Sequence, residues 1–151
     1  MPNLPGTDSM WPVLNRLMAG HTAIYRATGG RVGHRIPGLP PMLLLDHVGA
    51  KSGTRRTSPL LYVEDGTDVA IVASKGGHPK HPAWFHNLKA NPATNVQIGS
   101  ERRAVTARVA DAEERARLWP RAVAAYGSYA DYQRRAGDRE IPIVILEPRE
   151  A

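Results

Sequence analysis

The sequence has no cysteine, a single phenylalanine, and no apolar run near the ~20 residues that cross a bilayer as a helix. Without cysteine there are no disulfides, no iron–sulfur clusters and no thiol catalysis, which fits a reducing compartment. Acids are outnumbered: 14 Asp+Glu against 20 Lys+Arg give a formal charge of +6 and a pI near 10.1. Such a surface attracts anions, either nucleic acid, anionic lipid or a small polyanionic ligand. Aromatics are only 6% of the chain, so the basic residues lack the interleaved rings on which single-stranded nucleic acid stacks. Neither a GxxxxGK[ST] phosphate loop nor a G-x-S-x-G nucleophile elbow is present. The opening MPNLPGTDSMWP has no basic n-region and no apolar h-region, so a cytoplasmic protein is expected.

What is there reads as one domain. The 151 residues are 42% hydrophobic and 23% charged, an ordinary soluble composition for a chain of this length. Residues 1–30 read as a loose arm followed by an amphipathic helix, and residues 31–151 as the folded body. Helical spacing runs from Met10 to Ala27, with Trp11, Leu14, Leu17, Met18, Ile24 and Tyr25 toward one side, Asp8 or Ser9 as the cap, and Gly29-Gly30 as the stop. A Gly- and Pro-rich connector over Arg31–Pro41 precedes a change of period. Strands are expected over Met42–Val48, Thr57–Val63, Val69–Ser74, Thr94–Ile98, Ala104–Val109 and Ile141–Leu146. Asp65-Gly66 marks one hairpin turn. Helices are expected over His81–Asn91, from a capping box at Asp111–Glu114 to Tyr126, and from a second capping pattern at Ser128–Asp131 to Ala136. Hairpins dominate and no βαβ repeat is visible, which points to an antiparallel sheet or barrel with helical additions.

Two glycine-bounded turns carry the chemistry. In Gly49–Leu61, GAKSGTRRTSPLL, a strand ends in a turn presenting Lys51 and Ser52, and Arg55-Arg56 lead into the next strand. Ser74-Lys75-Gly76-Gly77-His78-Pro79-Lys80-His81 is a second basic loop at a strand end, followed by a helix opened by Pro82. Glycines bring backbone N–H groups close to a ligand, cations pair with phosphate or carboxylate, and a helix N-terminus adds positive potential. Two such loops converging on one polyanion favour a small anionic ligand over diffuse surface charge.

The succession G-x-K-S-G-x-x-R-x-x-P-L, A-S-K-G-G and H-P-x-W-F-x-N-L-x-A-N-P resembles the deazaflavin-dependent nitroreductase family, over about Leu43 to Pro148. That resemblance implies a split β-barrel of the flavin-mononucleotide-binding kind with flanking helices, and coenzyme F420 as cofactor. It implies an oxidoreductase that passes a hydride from reduced deazaflavin to a quinone-like or nitroaromatic acceptor. By the same resemblance, Ala50, Lys51, Ser52, Arg56 and Thr57 hold the phosphate and oligoglutamate tail. Ser58, Pro59, Leu60 and Leu61 pass along the ring and ribityl chain. Val72, Ala73, Ser74 and Lys75 form a second contact strand and loop, and Ala83, Trp84, Phe85, His86 and Asn87 the helix that closes over the phosphate side. Tyr126, Tyr129 and Tyr132 line the acceptor side, with Ser74 or Tyr129 hydrogen-bonding the acceptor oxygen. Gly127 stands where the family motif carries proline.

Other readings stay in view. His78, His81 and His86 make a poor metal set, because Pro79 and Lys80 separate the first two and no acid lies near, so no metal is expected. The pI alone favours a nucleic-acid module, against which the Gly-loop clustering of the cations speaks, and no nucleic-acid partner is expected. A split barrel binding flavin mononucleotide or another anionic ligand is the alternative within the fold. The N-terminal helix, with Arg16 and Arg26 beside its apolar residues, reads either as cover for the barrel or as a peripheral contact with the inner face of the cell membrane. A monomer is expected.

Overall fold

The computed structural model describes residues 7–37 and 39–150, with side chains from Arg16 onward. Along these residues run α1 (Thr7–Thr28), β1 (Met42–Val48), β2 (Arg55–Leu61), β3 (Val63–Asp65), β4 (Asp68–Val72), α2 (Ala83–Ala90), β5 (Ala93–Ile98), β6 (Glu101–Val109), α3 (Ala112–Ala125), α4 (Ser128–Ala136) and β7 (Ile143–Pro148). The strands form one antiparallel sheet in the order β2-β1-β5-β6-β7-β4-β3. Three hairpins supply six strands: β1–β2 pairs Met42 with Leu61 and Val48 with Arg55, β3–β4 turns at Gly66, and β5–β6 turns at Gly99.

Apolar alternation decides which way the sheet curls. Leu43, Leu45, Tyr62, Val69, Ile71, Val96, Val105, Val144 and Leu146 gather with Trp84, Phe85 and Leu88 of α2 in one buried cluster. A cluster that collects side chains from nearly every strand is the inside of a barrel. On the opposite face Ala70, Val72, Ile143 and Ile145 meet Leu118 and Ala122 of α3 and Tyr129 and Ala136 of α4. The Ile143–Leu146 run is buried throughout, as a strand covered on both faces must be. Each such side chain contributes on the order of 1.5–3 kcal/mol by leaving water.

The ribbon does not close. β2 touches β4 without pairing to it, so both flank a seam with unpaired backbone on β2. Pro59 sits in β2, where a missing N–H costs least because the strand is at the edge. This is the split β-barrel with flanking helices that the sequence implied.

Some boundaries differ from expectation. The expected strand Thr57–Val63 is bent at Tyr62 into β2 and β3, and the strand expected to end at Ser74 ends at Val72, so Ser74 belongs to a loop. The helix α1 begins at Thr7, ahead of Asp8 and Ser9, whose side chains lie outside the described residues. Its apolar stripe is not buried as a whole: Leu17, Met18 and Ile24 are exposed, and Tyr25 alone of the stripe's described members is buried. Tyr25 fixes the helix by accepting from Gly99 N–H at 2.8 Å and donating to the Met42 carbonyl at 3.0 Å. There the backbone of Gly30 passes so close to Gly99 that an added Cβ would stand 2.5 Å from its Cα.

Candidate cofactor and acceptor site

The β1–β2 connection is a tight basic turn. Gly49 N–H donates to Thr54 O and Gly53 N–H to Gly49 O, each at 2.9 Å, and Thr54 N–H to Ser52 Oγ at 3.2 Å. Gly53 has φ +69°, a left-handed conformation that suits glycine. With its own hydrogen bonds internal, the turn holds Lys51, Ser52, Arg55 and Arg56 exposed. Helix α2 is tied to it: Asn87, buried, accepts from Ala50 N–H at 2.9 Å. At the start of α2 the Phe85 N–H donates to Pro82 O at 3.1 Å. Trp84 and Phe85 are buried in the barrel interior, so their backbone rather than their rings is what α2 can offer a ligand, while Ala83 and His86 are exposed.

A residue that sequence reasoning missed sits between them. His47, buried at the end of β1, faces Asn87 Nδ2 through Nδ1 and Ser58 Oγ through Nε2, each at 2.9 Å. Burial holds the His47 imidazole below its ordinary pKa, and the Arg56 guanidinium adds to this against the opposing pull of Asp46. Nothing in a lone histidine at a strand end signals such a contact. Thr57, by contrast, points to the outer face. It donates to Asp46 Oδ1 at 2.7 Å, an oxygen that Arg26 of α1 also reaches at 3.1 Å. Its hydroxyl therefore keeps only acceptor capacity for any ligand.

The second basic loop is a 3₁₀ turn at Lys75–Gly77 in which all three residues are left-handed, with φ of 47°, 62° and 80°. Lys75 is the one non-glycine residue of that kind among the described residues, at a cost of roughly 1–2 kcal/mol. Gly77 abuts α4, where an added Cβ would lie 2.6 Å from the Tyr132 carbonyl oxygen. Arg139, also missed, braces the loop from beyond α4. It donates to the carbonyls of Ala73 at 2.9 Å, Ser74 at 2.7 Å and His78 at 2.9 Å, and to His81 Nδ1 at 3.0 Å. His81 must then accept through Nδ1, and burial and the Arg139 charge both hold its pKa down. Val72 and Ala73 are buried, whereas Ser74 and Lys75 are half-buried at the mouth of the loop.

The three tyrosines form one cluster on the outer face. Ring centroids of Tyr126 and Tyr129 are 5.0 Å apart, and Tyr132 lies 6.1 and 6.2 Å from them. The Tyr126 and Tyr132 hydroxyls share a hydrogen bond of 3.1 Å. Burial, with the neighbouring tyrosines, drives the Tyr129 phenol far above its usual value, and burial with the Tyr126 bond pushes Tyr132 to about 12. Tyr129 and Tyr132 are therefore neutral phenols at physiological pH. Leu61 packs on this cluster and Leu60 on the interior one, so the last residues of β2 touch both faces. Ser58–Leu61 end β2 and Val72 ends β4, and these two strands lie against one another, with Ala73–Lys75 continuing into the loop beyond.

Among the described residues no three His, Asp or Glu side chains are grouped to hold a metal ion. His78 Nδ1 instead accepts from Lys80 N–H at 3.0 Å. A separate hollow of about 540 Å3, lined by Arg35, Leu39, Pro41, Tyr62, Arg121 and Ala125 among others, contains none of the residues singled out from the sequence.

The comparisons with known proteins agree with one another. The family model described as F420H(2)-dependent quinone reductase matches residues 17–148. An F420H(2)-dependent quinone reductase of Mycobacterium tuberculosis is 47% identical over 137 residues, 89% of this chain and 91% of that protein. A solved F420-H2 dependent reductase superposes with a TM-score of 0.65 at 49% identity, covering 71% of this chain and 94% of its own. A solved domain-swapped dimer gives 0.67 at 40% identity, covering 89% and 99%.

Proposed function

Since the chain belongs to the F420H(2)-dependent quinone reductase family, we propose that it passes a hydride from reduced coenzyme F420 to a quinone. The protein is an oxidoreductase, and its cofactor is coenzyme F420. The observation that carries the site is the 2.9 Å bond from Ala50 N–H to Asn87, which joins the basic turn to the middle of α2. Beside that joint stand the exposed Lys51, Arg55 and Arg56 and the open edge of β2. Cations and a hydroxyl at one place fit the phosphate and glutamate carboxylates of F420.

The residues divide the work. Ala50, Lys51, Ser52 and Arg56 hold the phosphate and tail, with Ala83–Asn87 closing from α2, while the Thr57 hydroxyl stays committed to Asp46. Ser58–Leu61 and Val72–Lys75 flank the ring along the seam between β2 and β4. Bound F420 supplies the hydride; the protein aligns it and keeps water out. Tyr126, Tyr129 and Tyr132 face the acceptor, and Ser74 or Tyr129, a neutral donor, hydrogen-bonds the acceptor oxygen as charge develops there. Nitroaromatics are the alternative acceptors for the same site.

Titrating the protein with F420 and following its fluorescence at about 0.15 M salt is the first test. Saturable binding that weakens in Lys51→Ala and Arg56→Ala supports the site. A wild-type protein indifferent to F420 overturns it. Adding a menaquinone analogue or a nitroimidazole to protein and reduced cofactor, and watching the oxidised cofactor's absorbance return, then separates the acceptors.

The cellular setting is part of the same reading. No helix among the described residues is long and apolar enough to cross a membrane. Leu17, Met18 and Ile24 exposed on α1, with Arg16 beside them, support a peripheral contact with anionic lipid from the cytoplasm. Sedimentation with anionic vesicles, before and after Leu17→Asp and Ile24→Asp, tests it. A monomer is taken as the working unit, and light scattering checks that against a domain-swapped dimer of the kind one solved relative forms.

A further inference from the structure

Hydrogen-bond polarity around His47 runs one way. The Ala50 backbone N–H can only donate, so the Asn87 atom 2.9 Å from it is the carbonyl oxygen. The amide nitrogen of Asn87 therefore faces His47 Nδ1 and donates to it. An Nδ1 that accepts leaves the proton of the neutral ring on Nε2, which donates to Ser58 Oγ. With that oxygen accepting from His47, the Ser58 hydroxyl hydrogen is left to point elsewhere. Ser58 is half-buried on edge strand β2, so part of it meets solvent, where a ligand can reach it.

We propose that His47 is a positioning residue for the cofactor: as the Nε2–H tautomer it orients the Ser58 hydroxyl as a donor toward bound F420 and locks the Ala50 turn to α2 through Asn87. The proposal rests on the cofactor reading above. It adds a buried residue that touches no ligand yet sets two groups that do. The chain of bonds has no second arrangement. A proton on Nδ1 would confront the Asn87 NH2, and flipping that amide would confront the Ala50 N–H instead. Acid should therefore loosen the turn from the helix.

The charged groups whose fields reach His47 are Arg56 on β2 and Asp46 on β1, while α2 presents the uncharged Asn87. A positive His47 would also attract an anionic cofactor, so the two effects of acid oppose each other. Their balance can be measured.

Nitrogen NMR of the imidazoles in the ligand-free protein reads the tautomer directly, and Nε2–H for His47 is expected, whereas Nδ1–H overturns the proposal. F420 titrations of wild type, His47→Gln and His47→Leu between about pH 7.5 and pH 5 read the rest. The side-chain amide introduced by His47→Gln retains a donor toward Ser58, so near-wild-type affinity at the upper pH is expected. His47→Leu should weaken binding about tenfold, with the cofactor KM raised and kcat little changed. Wild type should lose affinity on acidification more steeply than His47→Gln does. Equal pH profiles in those two proteins, a rise in wild-type affinity with acid relative to His47→Gln, or unchanged binding in His47→Leu overturns the proposal. Should His47→Leu not fold, the profile of His47→Gln decides alone. Failure of wild type to bind F420 at any pH would instead remove the cofactor reading on which this stands.

Discussion

A guanidinium has five donors and no acceptor, so one arginine can hold several carbonyls at once. Arg139 does this for the Ser74–His81 loop, taking the oxygens of Ala73, Ser74 and His78. Ser74 O also accepts from Gly77 N–H at 3.0 Å, so replacing Arg139 by methionine keeps the volume and removes one of two bonds there along with those to Ala73 and His78. Arg139→Met should cost about 2–4 kcal/mol of stability in urea unfolding, and the surviving folded protein should bind F420 more weakly. Arg139→Lys should recover little, because a single ammonium cannot span the set. The tyrosines make a different prediction. Since burial raises Tyr129 and Tyr132, neither ionises below about pH 10. Turnover should show no alkaline limb that Tyr129→Phe removes, although that change lowers kcat if the hydroxyl meets the acceptor. At this scale the sequence singles out only what is local. Lys51 and Ser52 stand out as candidates within one turn. His47 and Arg139 meet partners 40 and 65 residues away, across pairings that spacing alone does not encode.

Elements show the same division. The capping box expected at Asp111–Glu114 is present: Asp111 accepts from Glu114 N–H at 2.9 Å, and the Glu114 carboxylate returns to Asp111 N–H at 3.2 Å. Asp111→Ala should cost about 1 kcal/mol and lower Tm by about 2–4 °C, leaving F420 affinity unchanged. Bonds from Arg108 hold the Glu114 carboxyl down to about 2. The stability it lends is complete above its unfolded pKa and fades only as pH falls toward that low value. The second capping pattern, Ser128–Asp131, is not a box. Helix α4 starts with Gly127 at its N-cap without a side-chain cap, and Asp131 pairs with Arg134. The motif was satisfied in letter, but the helix began one residue earlier and placed Ser128 inside it. Periodicity found the helix α1 and also overstated its buried face, because alternation marks a side without saying that anything covers it.

On the scale of the whole molecule, pH acts through three imidazoles, His47 buried and His34 and His81 partly so. All three sit below their ordinary pKa, each chiefly through burial. The unfolded chain therefore binds protons that the folded one refuses. Stability should be full above about pH 6.5, the unfolded histidine value, and decline as pH falls toward the lowered folded values. Thermal melts from about pH 8 down to pH 5 check the sign, and removing His47 by the glutamine substitution should flatten part of the decline. Fold class was readable from hairpin signals and the lack of βαβ units. The curl was not, since it depends on which apolar faces find α2 and which find α3 and α4.

The unzipped margin between β2 and β4 has a further consequence. A tube closed by hydrogen bonds must be threaded from an end, and a long guest would pay for every unit it drags through. On the proposed site, a slot lets the guest lie down broadside, ring into the gap and trailing carboxylates left outside among the lysines and arginines. Association of F420 with this protein should then proceed at nearly the same speed whether its glutamate chain is short or long, with extra glutamates slowing departure rather than hastening arrival. Stopped-flow mixing with cofactor preparations of graded tail length would show it.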